Sequence, residues 1–591
     1  MKYEIYSKNM RLIKSLNLYL YDEVKNIEIS TVKKIKTKNN EDNIVKKVNG
    51  NDYVIHSQYD PKYQAKYIAQ NAFEDNCDII FLFGLGLGYE LKEMIKLNNN
   101  IRYFIVEPDE EIFKMLVENC DIKFLFGKAN VHFILGKNPE DIGRFYANVI
   151  GGQKSLKIKF LVLPSYQNIY EDLIYSIFSN IKEKINIFRV NIHTGITSHR
   201  QWVQNYIGNL KYLDFVCPVT RLKEKFSGKP VIIVSAGPSL NYNIEVLRRI
   251  QDKVLVATAG SGINILENKG IKADIICMID GWQDESDLIE NVEINKNSSL
   301  FYSNMLYYTI VDKLQGPKFL LNMTNMDTKV YDTMDERPFA TFSGPSVANV
   351  LAYNLSQLGC NPIIFLGQDL CYSSGRNYAE GAIYEKDMSM EFENKGHIKL
   401  KNKNNEDVYT TPVFLAMKSS MEYCIKLYPH IKYLNGTLDG LKIYGAEDID
   451  FNRYAEEYFM NGYYSNVDLN DVYGNFINKD LNLKKIEYMK ESLENENNEL
   501  IKMLKDSLTF LESELDKSKV TKYIEKVYKK MNNIELYRDI INPDLYNLEY
   551  IHKNRNYIEK NKQKLAYILD KCLVMENAFT YIVKGGNKVE M

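Results

Sequence analysis

The hydrophobic pattern changes character along the chain, and each change predicts a different kind of element. Residues 1 to about 75 alternate short apolar and polar stretches, which predicts short strands and turns; "VKKIKTKNNEDNIVKKVNGNDYVIHS" has the polar centre of a hairpin. "DIIFLFGLGLGYELKEMIK" (residues 78–96) then reads as strand, glycine turn and helix. "IRYFIVEPDEEIFKMLVE" (residues 101–118) repeats strand, acidic turn and helix. Strands apolar at every position are covered on both faces, so a βαβ unit in a parallel sheet is predicted. Residues 166–213 read as mostly helical.

From residue 231 the alternation resumes. "VIIV", "KVLVATAG", "ADIICMIDG", "SLFYSN", "KFLLNM", "PFATFSG" and "NPIIFLGQDL" each predict a strand, and several end on Gly, Ser, Asp or Asn. That is the pattern of a doubly wound, Rossmann-like α/β domain, whose ligands sit beyond the carboxyl ends of the strands. It closes near "IKYLNGTLDGLKIYGA" (residues 431–446). After about residue 451 the period changes: Ile486, Met489, Leu493, Leu500, Leu504, Leu508, Leu511 and Leu515 form one apolar stripe on a long helix. Pro543 breaks the pattern and another helix follows, which predicts a helical bundle or hairpin. The expected organisation is an N-terminal α/β domain with a helical connector (1–210), a central α/β domain (211–450) and a C-terminal α-helical domain (451–591).

Composition narrows the function classes. The chain has 591 residues, too many for one core, and 45% hydrophobic with 26% charged residues is ordinary for a soluble globular protein. A net charge of −2 argues against a general electrostatic grip on nucleic acid. No apolar run reaches the roughly 20 residues that span a bilayer, so no membrane insertion is expected. The first twenty residues carry charges through their apolar positions and do not read as a secretory signal. Eight scattered cysteines without a Cys-x-x-Cys pair read as reduced thiols of a cytoplasmic protein, and no His-x-x-x-His pattern suggests zinc. Asp274 and Asp280 do not suffice for a magnesium site, so no metal is expected.

The glycine turns are where chemistry concentrates. "FGLGLGYE" offers Gly84, Gly86 and Gly88 after a strand, and Glu107 ends the next strand. This is the layout of adenosylmethionine or dinucleotide sites, but a helix packed tightly on a strand needs the same glycines. "SAGPSLNYN" is the second such turn: Gly237 ends a strand, Pro238 suits a first helical turn, and Ser239 and Asn241 can bond free N–H groups or a ligand. A helix entrance carries unpaired donors and a positive dipole end, which favours phosphate; a simple capped helix is the alternative.

Further strand ends add polar groups. Thr258, Ala259 and Gly260 are small enough to admit a flat base or ribose. Asp280 can bind sugar hydroxyls or a metal, or cap a helix. Ser343, Gly344, Pro345 and Ser346 open a helix much as residues 236–239 do. "PIIFLG" then delivers Gln368 and Asp369, followed by a loop with Tyr372, Tyr378, Glu380 and Gly381. Buried strands that repeatedly end in polar groups describe a pocket.

These pieces resemble a known family. "SAGPSLNYN", "GIKADIICMIDG", "SGPSVANVLAYNLSQLGCNPIIFLGQDLCY", "NYAEGA" and "YLNGTLDGLKIYGA" are similar to the motility accessory factor (Maf) proteins, flagellin glycosyltransferases in a superfamily with the MptE-like archaeal pterin pyrophosphokinases. The likeness is best over residues 211–450, and "FGLGLGYE" with "FIVEP" extends it loosely to the rest. It implies a sialyltransferase-like central domain that moves a nonulosonic acid, of pseudaminic or legionaminic type, from its CMP-activated form to Ser or Thr of flagellin. It implies no tightly bound cofactor: the CMP-sugar is the donor substrate. Two positions depart from the family pattern. Ala273 stands where relatives often carry proline, which bears on loop stiffness, and Asp439 stands where glutamate is expected, which puts in doubt any role needing the longer side chain.

With that reaction in view, the 237–241 helix entrance is expected to hold the nucleotide phosphate or ribose, joined by Thr258, Ala259, Ser343, Gly344, Ser346, Gln368, Asn435 and Thr437. Tyr372 or Tyr378 can add a hydroxyl donor. Asp369 is the expected general base, with Asp280 and His397 as rivals. The competing functions are a pterin-type pyrophosphokinase using ATP and magnesium, a methyltransferase working from "FGLGLGYE", and a non-enzymatic flagellin-binding protein.

Overall fold

Buried apolar runs followed by helices build a parallel sheet twice in this chain. The computed structural model describes residues 2–583 apart from 74–76, 127–129, 137, 140, 144–145, 147–156, 182–196, 343, 384–396, 461–466, 515 and 543–556. Two units are distinct, one within residues 1–196 and the other within residues 197–544 and 555–591.

The first unit opens with helices Lys2–Leu16 and Leu18–Asn26, where strands and turns were expected. Met10, Ile13, Leu20 and Val24 are buried at helical spacing, and Asn17 caps the second helix by accepting the Leu20 N–H at 3.0 Å. Charges interleaved through this stripe hide its period. The expected hairpin region forms an antiparallel sheet of Val32–Lys36, Asp42–Val48 and Asn51–Val54. The βαβ unit is present. Strand Ile79–Phe83, buried at every residue, lies between Arg102–Glu107 and Ile158–Val162, with Val131–Leu135 at the far edge, all parallel.

The second unit is built on a nine-stranded parallel sheet. From Val231–Val234 the chain steps outward through Leu255–Ala259, Ile275–Met278, Ser299–Tyr302 and Lys318–Leu320, with Cys217–Pro218 at that edge. It then returns to the other side of Val231–Val234 as Ile363–Leu366, followed by Tyr433–Asn435 and Glu447–Asp448. Strand order reverses at Val231–Val234, and such a reversal opens a crevice at the carboxyl ends of the strands.

One expected strand is absent: residues 338–342 of "PFATFSG" have no regular structure. Pro338 lacks an N–H for a ladder, and Phe342 stacks on Tyr353 of helix Val347–Gln357, ring centroids 4.2 Å apart.

The long helix is Leu483–Ser513. Ile486, Met489, Leu493, Leu500, Leu504 and Leu511 are buried and Leu508 is half-buried, with packing against Tyr557–Ala578 and Lys517–Met531. Burying each of these side chains contributes about 1.5–3 kcal/mol. Leu515 and the break at Pro543 lie outside the described residues. No helix among the described residues is long and apolar enough to cross a membrane.

Candidate functional site

The glycine turn of the first unit is filled by its own side chains. Glu107 Oε2 accepts the Leu85 and Gly86 N–H groups at 2.9 and 3.2 Å and the Tyr166 hydroxyl at 2.6 Å. Its Oε1 accepts the Asp109 N–H at 2.9 Å. Burial pushes the Glu107 carboxyl up to about 7, against the pull of these donors. His56 Nε2 accepts the Leu87 N–H at 2.9 Å, which leaves its proton on Nδ1, 3.2 Å from Glu90 Oε1. A Cβ on Gly84 would lie 2.6 Å from the Tyr166 ring, and one on Gly86 2.3 Å from His56 Nε2. The acid and N–H groups that a ribose or phosphate would need are engaged internally. His56 and Tyr166 come from distant stretches that no local motif joins to this turn.

The second unit carries a cavity of about 320 Å³ at the strand reversal. Its floor is Ser235, Ala236 and Gly237 after one strand and Ala259, Gly260 and Ser261 after the next. Asp280 and Glu285 form one side, Gly367–Cys371 another. The entrance of helix Val347–Gln357 contributes Pro345, Ser346, Val347 and Ala348, and Asn377, Tyr378, Leu288, Phe414 and Met417 complete the wall. Topology explains the convergence: small and polar residues end neighbouring parallel strands, so their loops meet at one point.

Of the residues expected from sequence, Gly237, Ala259, Asp280, Ser346, Gln368, Asp369 and Tyr378 are brought together here. Pro238, Ser239 and Asn241 instead line a separate depression with Tyr242, Ser373, Arg376 and Asp439. The Thr258 hydroxyl is buried, 3.2 Å from the Val234 carbonyl. Gly344 lies against Phe342 and Asn349. Tyr372 packs its ring against His397 and Phe414, at 5.2 and 5.5 Å, and neither Tyr372 nor His397 lines the cavity. Asn435 bonds the Asp448 carboxylate at 2.8 Å, and Thr437 accepts the Gln368 N–H at 3.0 Å; both brace the strand ends. Ser343 lies outside the described residues.

The N–H groups of the 237–241 entrance, expected to hold the nucleotide phosphate or ribose, are engaged within the protein. Asp369 Oδ1 accepts the Ser239 N–H at 3.2 Å and Oδ2 the Ser239 hydroxyl at 2.8 Å. The Gly237 N–H bonds the Gly367 carbonyl at 2.9 Å, and those of Leu240 and Asn241 close onto Gly237 and Pro238. Asp369 thus caps this helix from the neighbouring strand end. Its carboxyl is buried, and burial pushes it up to about 6, with the bonds from Ser373 and Ser239 pulling the other way. Asp369, the general base expected from sequence, holds its carboxylate on Ser239 here. Leu370, next along, has φ +59, a conformation costing a non-glycine residue about 1–3 kcal/mol. Its carbonyl is held by the Thr410 hydroxyl at 2.7 Å.

The other two acids are different. Among the described residues neither the Asp280 nor the Glu285 carboxyl receives a hydrogen bond. Asp280 keeps an exposed edge, yet the protein crowding its carboxyl raises its pKa. Glu285 is pushed up to about 7 by burial first, then by the charges of Asp280 and Asp284. Tyr378 is raised by burial and by the charge of Glu285. Glu285 is not among the residues expected from sequence; it stands five residues beyond the strand-end acid Asp280.

The helix entrance that opens on the cavity is the other Gly-Pro-Ser turn. Ser346 is its N-cap, at φ −150 and ψ 158, and its hydroxyl donates to Asn349 Oδ1 at 2.7 Å while the Asn349 N–H reaches Ser346 Oγ at 3.3 Å. The first turn of this helix presents its positive dipole end to the cavity. No group of three or more His, Cys, Asp or Glu among the described residues is placed to hold a metal ion.

A doubly wound sheet with a polar cavity at its strand reversal defines the class of α/β proteins that bind ligands at a topological switch point. Comparison with known proteins narrows this. Residues 52–188 match the glycosyltransferase Maf N-terminal domain, and residues 204–375, which hold much of the cavity, match the 6-hydroxymethylpterin diphosphokinase MptE-like family. The chain thus joins a stretch that matches the Maf N-terminal domain to one that matches the MptE-like family. Its fold is similar to that of the MAf glycosyltransferase from Magnetospirillum magneticum AMB-1, with a TM-score of 0.57 at 13% identity over 98% of this chain and 97% of that one. No curated protein matches.

Proposed function

We propose that this cavity binds a CMP-activated nonulosonic acid and transfers the sugar to Ser or Thr hydroxyls of flagellin, in the cytoplasm before export. The observation that carries the reading is the entrance of helix Val347–Gln357 opening on a cavity of about 320 Å³ that also holds two carboxyl groups receiving no hydrogen bond from the described residues. That volume falls at the small end of ligand pockets, which run about 300–1,000 Å³. Phosphate suits the first turn at Ser346, Val347 and Ala348, where N–H donors and about half a positive charge face it. The same donors stabilise the charge that grows on the departing CMP. The bare floor at Ala236, Gly237, Ala259 and Gly260 suits the flat face of a base or ribose. The acids suit acceptor and sugar hydroxyls.

A second reading is favoured by the match of residues 204–375 to the MptE-like family: diphosphate transfer from ATP to a pterin. Intact-mass spectrometry separates the two. Flagellin co-expressed with this chain and a CMP-nonulosonate pathway gains one or more nonulosonic acid masses under the first reading. Unmodified flagellin, with AMP formed from ATP and a pterin, decides for the second.

A further inference from the structure

We propose that Glu285 is the general base of this transfer, taking the proton of the acceptor hydroxyl while Asp280 positions it, an assignment that rests on the glycosyl-transfer reading of the cavity. Of the carboxyl groups on the cavity wall, Asp369 is committed to Ser239. A base must turn an unused lone pair to the substrate, and among the described residues Glu285 and Asp280 receive no hydrogen bond. Glu285 leans over the floor: its Oε2 lies 3.6 Å from where a Cβ on Gly260 would stand, so the absent side chain there leaves room in front of the carboxylate.

The turn that carries Glu285 is fixed at both ends. Its N–H donates to the Trp282 carbonyl at 3.2 Å. Leu288 is buried, and its carbonyl accepts from Asn264 at 3.0 Å. Trp282, between the two acids in sequence, is 50% exposed.

The groups around Glu285 set its proton affinity. Asp280 and Asp284 raise it, Tyr378 faces it from the 372–381 loop, Asp369 lies elsewhere on the cavity wall, and Lys313 reaches the Ser286 carbonyl at 3.5 Å. A carboxyl pushed to about 7 is half ionised at neutral pH, where a base is strong enough to draw a proton yet still available. In the step itself the acceptor oxygen bonds to the anomeric carbon. The bond from that carbon to the CMP phosphate oxygen breaks, and its electron pair leaves with CMP. The hydroxyl proton passes to Glu285 and then to water.

The test uses the full chain with CMP-pseudaminic or CMP-legionaminic acid and flagellin. Glu285→Gln is expected to lower kcat by about 10²–10⁴-fold while the Kd for CMP, measured by calorimetry, is unchanged. Wild-type kcat is expected to rise with pH to a plateau above about 7, and this acid limb is expected to vanish in the variant. Glu285→Ala is expected to regain part of its activity with added formate, which replaces a missing base but not a missing structural contact. Transfer by Glu285→Gln within about threefold of wild type, or an unchanged acid limb, overturns the assignment and leaves the transferase reading standing. Weakened CMP binding in step with lost transfer, without formate rescue, also overturns it. A wild-type chain that transfers neither sugar overturns both.

Discussion

Gly237 and Asp369 press against each other across the strand reversal. A methyl on Gly237 would stand 2.1 Å from Asp369 Oδ2 and 2.4 Å from the Gly367 carbonyl, and Gly367 itself needs φ +63 beneath the Ser235 carbonyl. Gly237→Ala is therefore expected to cost about 1–3 kcal/mol, read as a lower urea midpoint, with weaker CMP binding as the floor shifts. Asp369→Asn keeps an oxygen for the Ser239 N–H, so transfer is expected to stay within about tenfold of wild type, short of the loss of about 10²–10⁴-fold expected at Glu285. Burial raises the Asp369 pKa to about 6 in the folded chain, from about 3.9 when unfolded. The folded state then holds the proton more tightly, so this group's contribution is full below about pH 4 and is lost as pH rises through about 6. Asp369→Asn is expected to flatten that part of the pH dependence of the urea midpoint. Both residues were legible as polar or small strand ends. Their meeting was not, because 131 positions separate them and only the strand order brings them together.

Two helices begin on Gly-Pro-Ser, and sequence treats them alike. The structure separates them by non-local contacts: Asp369 closes the entrance at Ser239, while Ser346 to Ala348 line the cavity. Placing a carboxylate at Ala348 distinguishes phosphate binding from mere packing. An acid in a first helical turn favours the helix by about 0.3–1 kcal/mol, which offsets part of the cost of a carboxylate at the buried Ala348, so the urea midpoint of Ala348→Asp is expected to fall only modestly. The same charge repels a phosphate, and CMP affinity is expected to fall at least about tenfold, equivalent to about 1.4 kcal/mol. Unchanged CMP affinity would place the phosphate elsewhere. Elements with a clean period were readable from the chain: the strands Val231–Val234, Ile275–Met278 and Ile363–Leu366 and the long helix Leu483–Ser513 stand where apolar runs predict them. The first two helices were not, because charges and Asn17 interrupt their stripe. "PFATFSG" misled for the opposite reason: its Phe342 stacks on a helix instead of joining the sheet.

Each unit of the chain contains a parallel sheet with a glycine turn after a buried strand, yet their strand ends serve different ends. In the second unit the turns leave a cavity; in the first, Glu107, His56 and Tyr166 take up the turn's N–H groups and the space above its glycines. The first turn therefore holds its unit together, and its glycines answer to packing. Gly86 carries the sharpest test, since it combines φ +54 with a Cβ direction ending 2.3 Å from a buried histidine nitrogen. Gly86→Val is expected to lower the thermal midpoint of the first unit, because the branched side chain must displace His56 and break its bond to Leu87. Wild-type chain titrated with adenosylmethionine or NAD is expected to give no binding heat, and the variant's defect is expected to be insensitive to either compound. Saturable binding abolished by the valine would show that the turn opens to a ligand, and would return a cofactor to the first sheet.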